Sequence, residues 1–258
     1  MLPNFLHIGV AKAASTWLWH IYQEHPDVCV PTRKVRDYSG RMTVPDNCNF
    51  FVADFYRGLD WYEKTYFSGW DGERAVGELS NSYMVDELAL QRIAESLPDV
   101  KLTMTVRNPI EVTWLQYLMQ KQVGCWAPGT TPFETVLDIH SWQRFRMWVE
   151  PGYYHQHLTR VLRYFPRERV QVLVYDDLVS DPRAFARTVF SFLGVEPRVD
   201  LPSIDRIIGF PRPEKPDTPD DDLKRGMPPD LRERLRQIFA DQNARLAELL
   251  NRDLSHWG

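Results

Sequence analysis

The sequence contains no G-x-x-x-x-G-K-[ST] run, and Lys12, just past the first strand-like segment, is followed by alanine rather than serine or threonine. The lysine–hydroxyl pair that holds magnesium against a nucleotide phosphate is therefore missing, which argues against an ATPase or an ordinary kinase. Cysteine is scarce. Cys29, Cys48 and Cys125 are odd in number and match no zinc spacing. They read as thiols in a reducing compartment, with a Cys29–Cys48 disulfide left open, and no metal is expected. No apolar run approaches the ~18 residues that a membrane-spanning helix needs. The opening MLPNFLHIGVAKAAST has no basic segment ahead of a long apolar one, so no secretory signal is expected and a cytoplasmic protein is. Excess positive charge is lacking too. The formal net charge is -4, which leaves no broad attraction to nucleic acid or anionic lipid and room only for a local basic pocket. There are no internal repeats and no sign of a second domain.

What is present is a large apolar complement. Hydrophobic residues make up 43% of the chain and aromatics 13%, enough to bury the core of one domain over 1–258. Residues 4–10 (NFLHIGV) read as a strand, 11–16 (AKAAST) as a small-residue loop, and 16–25 as a helix closed by Pro26. Residues 28–31 and 76–79 read as short strands, 101–107 (KLTMTVR) and 169–175 (RVQVLVY) as strong ones. Helices are expected over 84–97, 109–122, 132–139, 141–148, 152–164, 182–193 and 229–251. The last carries Leu231, Leu235, Ile238, Phe239, Leu246 and Leu249 on one face, and Gly194 fits a C-terminal cap. Segment 36–75 reads as loops with a short helix near 60–67, DDLVSDP as a turn, and 196–228 as a long loop. Strands alternating with helices predict an α/β fold: one P-loop-like domain with a mostly parallel central sheet flanked by helices.

Two segments have anion-binding chemistry. In Lys12–Thr16, Ala13 and Ala14 let the backbone approach a phosphate, Ser15 and Thr16 add hydroxyl donors, and Lys12 adds a point charge at a helix N-terminus. The bland alternative is a strand–helix turn with a solvated lysine. In Arg107-Asn108-Pro109, an arginine ends a strand just before the next helix, a second place for an anion. The bland alternative there is a structural ion pair. His155 and His157, two apart on a helix, cannot share one face, which disfavours a shared metal.

GVAKAAST resembles the K-x-G-T/S-T loop of the PAPS-dependent sulfotransferase superfamily, which holds the 5′-phosphosulfate of 3′-phosphoadenosine 5′-phosphosulfate (PAPS). VRNPIEVTWLQYL resembles that family's R-[DN]-P segment, whose arginine and serine bind the 3′-phosphate, but Leu115 stands where the serine is expected, with Thr113 as a neighbour that could compensate. HPDVCVPTRKVRDYS, GLDWYEKTYF, VGELSNSY (family pattern V-G-E-x-[ST]-P-x-Y), RYFPRERVQVLVYDDLVSDP and NARLAELLNRDLSHW resemble further family segments in order along nearly the whole chain. They point to the heparan-sulfate-like and bacterial branch.

The resemblance implies roles. Lys12 stabilises the leaving bridge oxygen; Lys12, Ala13, Ala14, Ser15 and Thr16 cradle the 5′-phosphosulfate; Arg107 grips the 3′-phosphate; Lys224 and Arg225, a transposed form of the family's K-G-R loop, close over the nucleotide. Relatives often supply the base as a glutamate where this chain has Lys34, between Arg33 and Arg36. Glu78 is then the expected base, with Asp37 and His7 as fallbacks. Leu79 replaces a lysine common in relatives. The implied activity is sulfuryl transfer from PAPS, as co-substrate, to a hydroxyl, less readily an amine, of a carbohydrate, lipid or secondary-metabolite acceptor, with no metal, nucleic acid or membrane span and the oligomeric state open. The rivals are a phosphotransferase, which lacks its magnesium-holding pair, and a nucleotide-binding pseudoenzyme or assembly partner, which Leu115 and Lys34 keep in view.

Overall fold

The computed structural model of the chain describes residues 1–32, 35–36, 42–43, 47–122, 137, 142–206 and 226–258. It falls into two compact units, Met1–Val106 with Arg160–Ile208 and Arg107–Thr159 with Gly209–Gly258. The strands are β1 (Phe5–His7), β2 (Val28–Cys29), β3 (Val35–Arg36), β4 (Met42–Thr43), β5 (Ala75–Leu79), β6 (Lys101–Val106) and β7 (Val170–Val174). The helices are α1 (Ser15–Glu24), α2 (Leu59–Tyr66), α3 (Glu87–Ser96), α4 (Pro109–Gln122), α5 (Trp142–Trp148), α6 (Tyr154–Tyr164), α7 (Tyr175–Ser180), α8 (Pro182–Leu193) and α9 (Pro229–Leu250).

The first unit is built on a five-stranded sheet in the order β2-β5-β1-β6-β7. Every pairing in it is parallel, as the alternation of strands and helices predicts. β3 and β4 form a separate antiparallel pair. In the central register Phe5 lies opposite Gly77 on one side and Lys101 on the other. A side chain at position 77 has no room: a Cβ there would stand 2.4 Å from the Phe5 carbonyl oxygen and 2.5 Å from its ring. Trp17, Ile21 and Tyr22 of α1 join Phe185, Val189 and Phe190 of α8 and Phe5 of β1 in one buried cluster. Phe5 and Tyr22 meet edge to face at 5.2 Å.

Caps explain the boundaries. α3 begins at Glu87 rather than 84, because the Asp86 carboxylate accepts the Ala89 N–H at 2.8 Å and Tyr83–Val85 is a separate 3-10 turn. The DDLVSDP turn is corrected to a helix: α7 places Asp176 and Asp177 in its first turn, where the helix dipole favours them, and buries Leu178. Asp181 then accepts the Ala184 N–H at 2.9 Å, Pro182 opens α8, and Gly194 closes it at φ 83. The helix expected near 60–67 is α2.

In the second unit, Ile110, Trp114 and Leu118 of α4 pack with Trp148 and with Leu231, Leu235 and Phe239 of α9. In the α9 stripe Leu231, Leu235, Phe239 and Leu246 are buried and Ile238 is half-buried, but Leu249 is 39% exposed; the helix outlasts the core beneath it. Apart from buried Leu137, the helix expected at 132–139 lies outside the described residues, as does 207–225 of the long loop. Cys29 and Cys48 are buried and not joined in a disulfide, which closes the option left open above; Cys125 lies outside the described residues. Among the described residues no helix is long and apolar enough to cross a membrane.

Candidate active site

Beyond β1 the chain stays zipped to β6. The Ile8 and Val10 N–H groups donate to the Thr103 and Thr105 carbonyls at 2.9 and 3.0 Å, and Thr105 N–H returns a bond to the Gly9 carbonyl at 2.8 Å. The loop then turns sharply, with Lys12 at φ 65 and Ala14 at φ 72. Left-handed conformations at non-glycine residues cost about 1 kcal/mol or more each and are retained where the surroundings enforce them. Here they let the backbone wrap, and α1 starts from Ala14 with no side chain capping its first N–H groups and no acidic residue in its first turn. Uncapped amides at the positive end of a ten-residue helix are a place for an anion. Ala13 and Ala14 are buried beneath the loop, while Lys12, Ser15 and Thr16 are half-buried at its surface. Lys12, Ala13, Ala14, Ser15 and Thr16 are thus one continuous structure.

The segment after β5 runs beside that loop. Ser80 N–H donates to the His7 carbonyl at 2.8 Å and Met84 N–H to the Ile8 carbonyl at 3.1 Å. Gly9, at φ 148, permits the approach: a Cβ there would lie 2.8 Å from the Met84 sulfur and 3.2 Å from the Asn81 carbonyl oxygen. Glu78, on β5, is fully buried. Its Oε1 accepts the Tyr83 hydroxyl at 2.7 Å and the Tyr62 hydroxyl at 3.1 Å, and its Oε2 accepts the Ser80 hydroxyl at 2.7 Å. Burial pushes its pKa up to about 7, against the pull of bonds from Ser80, Tyr83, Tyr62 and the Cys48 thiol, which favour the carboxylate. The arginine partner that a buried glutamate commonly has is replaced by these neutral donors. His7 is also fully buried; its Nδ1 meets the Thr103 hydroxyl at 3.0 Å and burial pushes its pKa down to about 3. A ring so reluctant to take a proton is a poor base, which removes that fallback.

Arg107 follows β6 and opens the second unit. The Asn108 Oδ1 accepts the Ile110 N–H at 3.0 Å, the Asn108 carbonyl accepts the Val112 N–H at 3.0 Å, and Pro109 takes the first helical position. The R-N-P triplet is therefore an arginine followed by a self-capping helix start. Arg107 acts on the buried Tyr154 hydroxyl, whose pKa burial raises and the guanidinium lowers. Leu115 is buried. Thr113 does not replace the expected serine, because its buried hydroxyl is spent on the Pro109 carbonyl at 2.8 Å and the Trp148 carbonyl at 3.2 Å. A cavity of about 200 Å³ beside Asn108 is lined by Arg232, Arg236 and Trp257, but Arg232 is paired with Glu111 at 2.8 Å and Arg236 with Glu233 at 2.6 Å.

Arg33, Lys34, Asp37, Lys224 and Arg225 lie outside the described residues, and so does the side chain of Arg36. Among the described residues no group of His, Cys, Asp and Glu is placed to hold a metal ion. Sequence reasoning missed Asn81, whose side chain reaches Ser15, and the ring of Cys48, Tyr62 and Tyr83 around Glu78. Cys48 and Tyr62 give no signal, because they reach Glu78 only across separate elements, whereas Asn81 and Tyr83 lie in the VGELSNSY stretch beside it.

The fold is a parallel α/β sheet whose central strand runs into a lysine-bearing loop and a helix that no side chain caps. The sulfotransferase domain family matches residues 2–208, and the chain belongs to that family. It is 30% identical over 201 residues to human heparan sulfate glucosamine 3-O-sulfotransferase 6, a match covering 75% of this chain and 53% of that protein. Human bifunctional heparan sulfate N-deacetylase/N-sulfotransferase 2 is 25% identical over 203 residues, covering 76% of this chain and 22% of that one. The chain thus spans about half the length, or less, of these curated relatives. The crystal structure of a sulfotransferase from Alicyclobacillus acidocaldarius superposes with a TM-score of 0.73 at 30% identity, covering 100% of this chain and 99% of that one.

Proposed function

We propose that this sulfotransferase takes its sulfuryl group from PAPS and delivers it to a hydroxyl, or less readily an amine, of a carbohydrate, lipid or secondary-metabolite acceptor. The observation that carries the reading is the Lys12–Thr16 loop: left-handed turns at Lys12 and Ala14 leading into an uncapped α1. The acceptor oxygen attacks sulfur in line, the bond from sulfur to the bridging phosphate oxygen breaks, and 3′-phosphoadenosine 5′-phosphate (PAP) leaves with the electron pair on that oxygen. Lys12 stabilises the charge that develops there. Glu78, with a pKa near 7, takes the acceptor's proton. Arg107 holds the 3′-phosphate, Lys224 and Arg225 close over the nucleotide, and residues 1–258 act as one domain. The curated relatives are named for sulfuryl transfer to a glucosamine oxygen and to nitrogen, which makes amino-sugar glycans the first acceptors to try.

One observation favours a second reading. Glu78 is sealed behind Tyr62, Ser80 and Tyr83, and a base out of reach of its acceptor leaves a nucleotide-binding protein without turnover. Calorimetry with PAP and an acceptor screen with labelled PAPS separate the two. Binding and transfer by wild type, with transfer lost in Lys12→Ala, supports the enzyme. Binding without transfer to any acceptor supports the pseudoenzyme, and absence of PAP binding removes both.

A further inference from the structure

Asn81 is not part of the catalytic set just proposed, yet it lies against the loop at the centre of it. Its main chain is held on both sides: its N–H donates to the Asn47 side-chain oxygen at 2.9 Å, and its carbonyl lies close over Gly9. Its carboxamide reaches across to α1, where Nδ2 stands 3.3 Å from the Ser15 hydroxyl oxygen. The other end, Oδ1, is sealed from solvent and has no partner among the described residues. Turning the amide over would instead bury an NH2 group with its protons unpaired. A buried orphan donor is rarer and costlier than an orphan carbonyl, so the orientation with N–H toward Ser15 is favoured. Family members whose segment follows V-G-E-x-[ST]-P-x-Y carry proline where this chain has Asn81, so the contact belongs to this chain's own sequence.

We infer that Asn81 is a positioning residue that makes Ser15 a hydrogen-bond donor to the bound anion. A serine hydroxyl has one proton and can both give and receive. With its oxygen receiving the Asn81 N–H, that proton is directed away from Asn81, and among the described residues no acceptor takes it. A hydroxyl that accepts one bond also donates a stronger one. Ser15 is the first residue of α1, so its proton joins the uncapped backbone N–H groups at the same helix end. The side chain that binds is Ser15; Asn81 sets which way it binds. This inference rests on the PAP-binding reading above and adds a residue to it.

The test is calorimetry with PAP on wild type, Asn81→Ala, Asn81→Asp, Ser15→Ala and the Ser15→Ala/Asn81→Ala double variant. Asn81→Ala is expected to weaken PAP binding by ~3–10-fold, the range for one neutral hydrogen bond. Asn81→Asp keeps the shape but only accepts, so it draws the Ser15 proton to itself and should weaken binding further. In the Ser15→Ala background the Asn81 substitution should have no further effect, because the group it acts through is gone. In turnover, the KM for PAPS should rise in Asn81→Ala while kcat holds. Additive losses in the double variant, or an Asn81→Asp protein that binds like wild type, overturns the inference while the PAP reading stands. Should Asn81→Ala melt early, Asn81→Asp, closest in shape, carries the comparison. A wild-type protein that fails to bind PAP removes the parent reading, and this one with it.

Discussion

Two helix starts in this molecule follow strands of the same sheet and resolve their ends in opposite ways. At α4, Asn108 caps from within and Pro109 removes one orphan donor, so the helix start is nearly satisfied by its own residues. At α1, Ala14 stands at the cap position and no side chain caps the first N–H groups. On the proposed reading the first contributes the Arg107 side chain to the nucleotide, and the second contributes backbone, hydroxyls and Lys12 together. A helix N-terminus is thus a binding site only where the sequence withholds the cap, and the withheld cap costs about 1 kcal/mol of stability that a ligand can return.

The contrast can be attacked most forcefully at its two cations. Lys12→Ala should lower transfer by roughly 100–1000-fold, as expected when a group that stabilises developing charge is lost, measured as labelled sulfate incorporated at saturating PAPS. Arg107→Ala should instead weaken PAP by roughly 10–100-fold, the scale of a lost charge-assisted contact, while leaving adenosine 5′-phosphate, which lacks the 3′-phosphate, nearly unaffected. Equal losses for both nucleotides would erase the distinction between the two sites.

Next in size is the pH response set by Glu78. Because burial raises its pKa from 4.5 to about 7, the folded state favours the proton, and this contribution to stability is fully present below pH 4.5 and lost as pH climbs through about 7. The shift corresponds to on the order of 3 kcal/mol. Transfer should rise over the same interval as the carboxylate forms, so activity and stability move in opposite directions. Glu78→Gln should flatten the fall in melting temperature between pH 5 and pH 8 and lower transfer by ~100-fold. A wild-type melting temperature that does not fall over that interval would contradict the buried carboxylate's raised pKa.

The smallest effects compare the caps directly. Asn108→Ala should cost about 1 kcal/mol in urea unfolding with little change in PAP affinity. Ser15→Ala should do the reverse, weakening PAP by ~3–10-fold at nearly unchanged stability. Matching responses at the two positions would show that the helix starts do not differ in the way their caps imply.

Both starts were readable in the sequence, and for a physical reason: strand, small-residue loop and helix are local, and the residues that distinguish them are contiguous. β6 and β7 announce themselves by β-branched alternation, and Gly194 by its position after a helical run. What lay beyond reach was assembled from afar. Of the donors around Glu78, Ser80 and Tyr83 are close in sequence, but Cys48 and Tyr62 come from separate elements, so the fully neutral set is not visible near the glutamate. α7 reads as a turn from sequence because Asp176, Asp177, Ser180 and Asp181 are turn formers, whereas a dipole-favoured start and the buried Leu178 hold six residues helical. Thr113 reads from sequence as a spare hydroxyl, but that hydroxyl donates to two backbone carbonyls.

β1 sits in the middle of the sheet although it comes first in the chain. The ribosome therefore releases it long before either flanking strand exists, since Phe5 must wait for Gly77 and then for Lys101. A nascent apolar strand without neighbours is exposed to misassociation, and closing such distant pairs is slow. Chaperone demand during synthesis, and poor tolerance of deletions that remove residues 4–10, follow from that order of events.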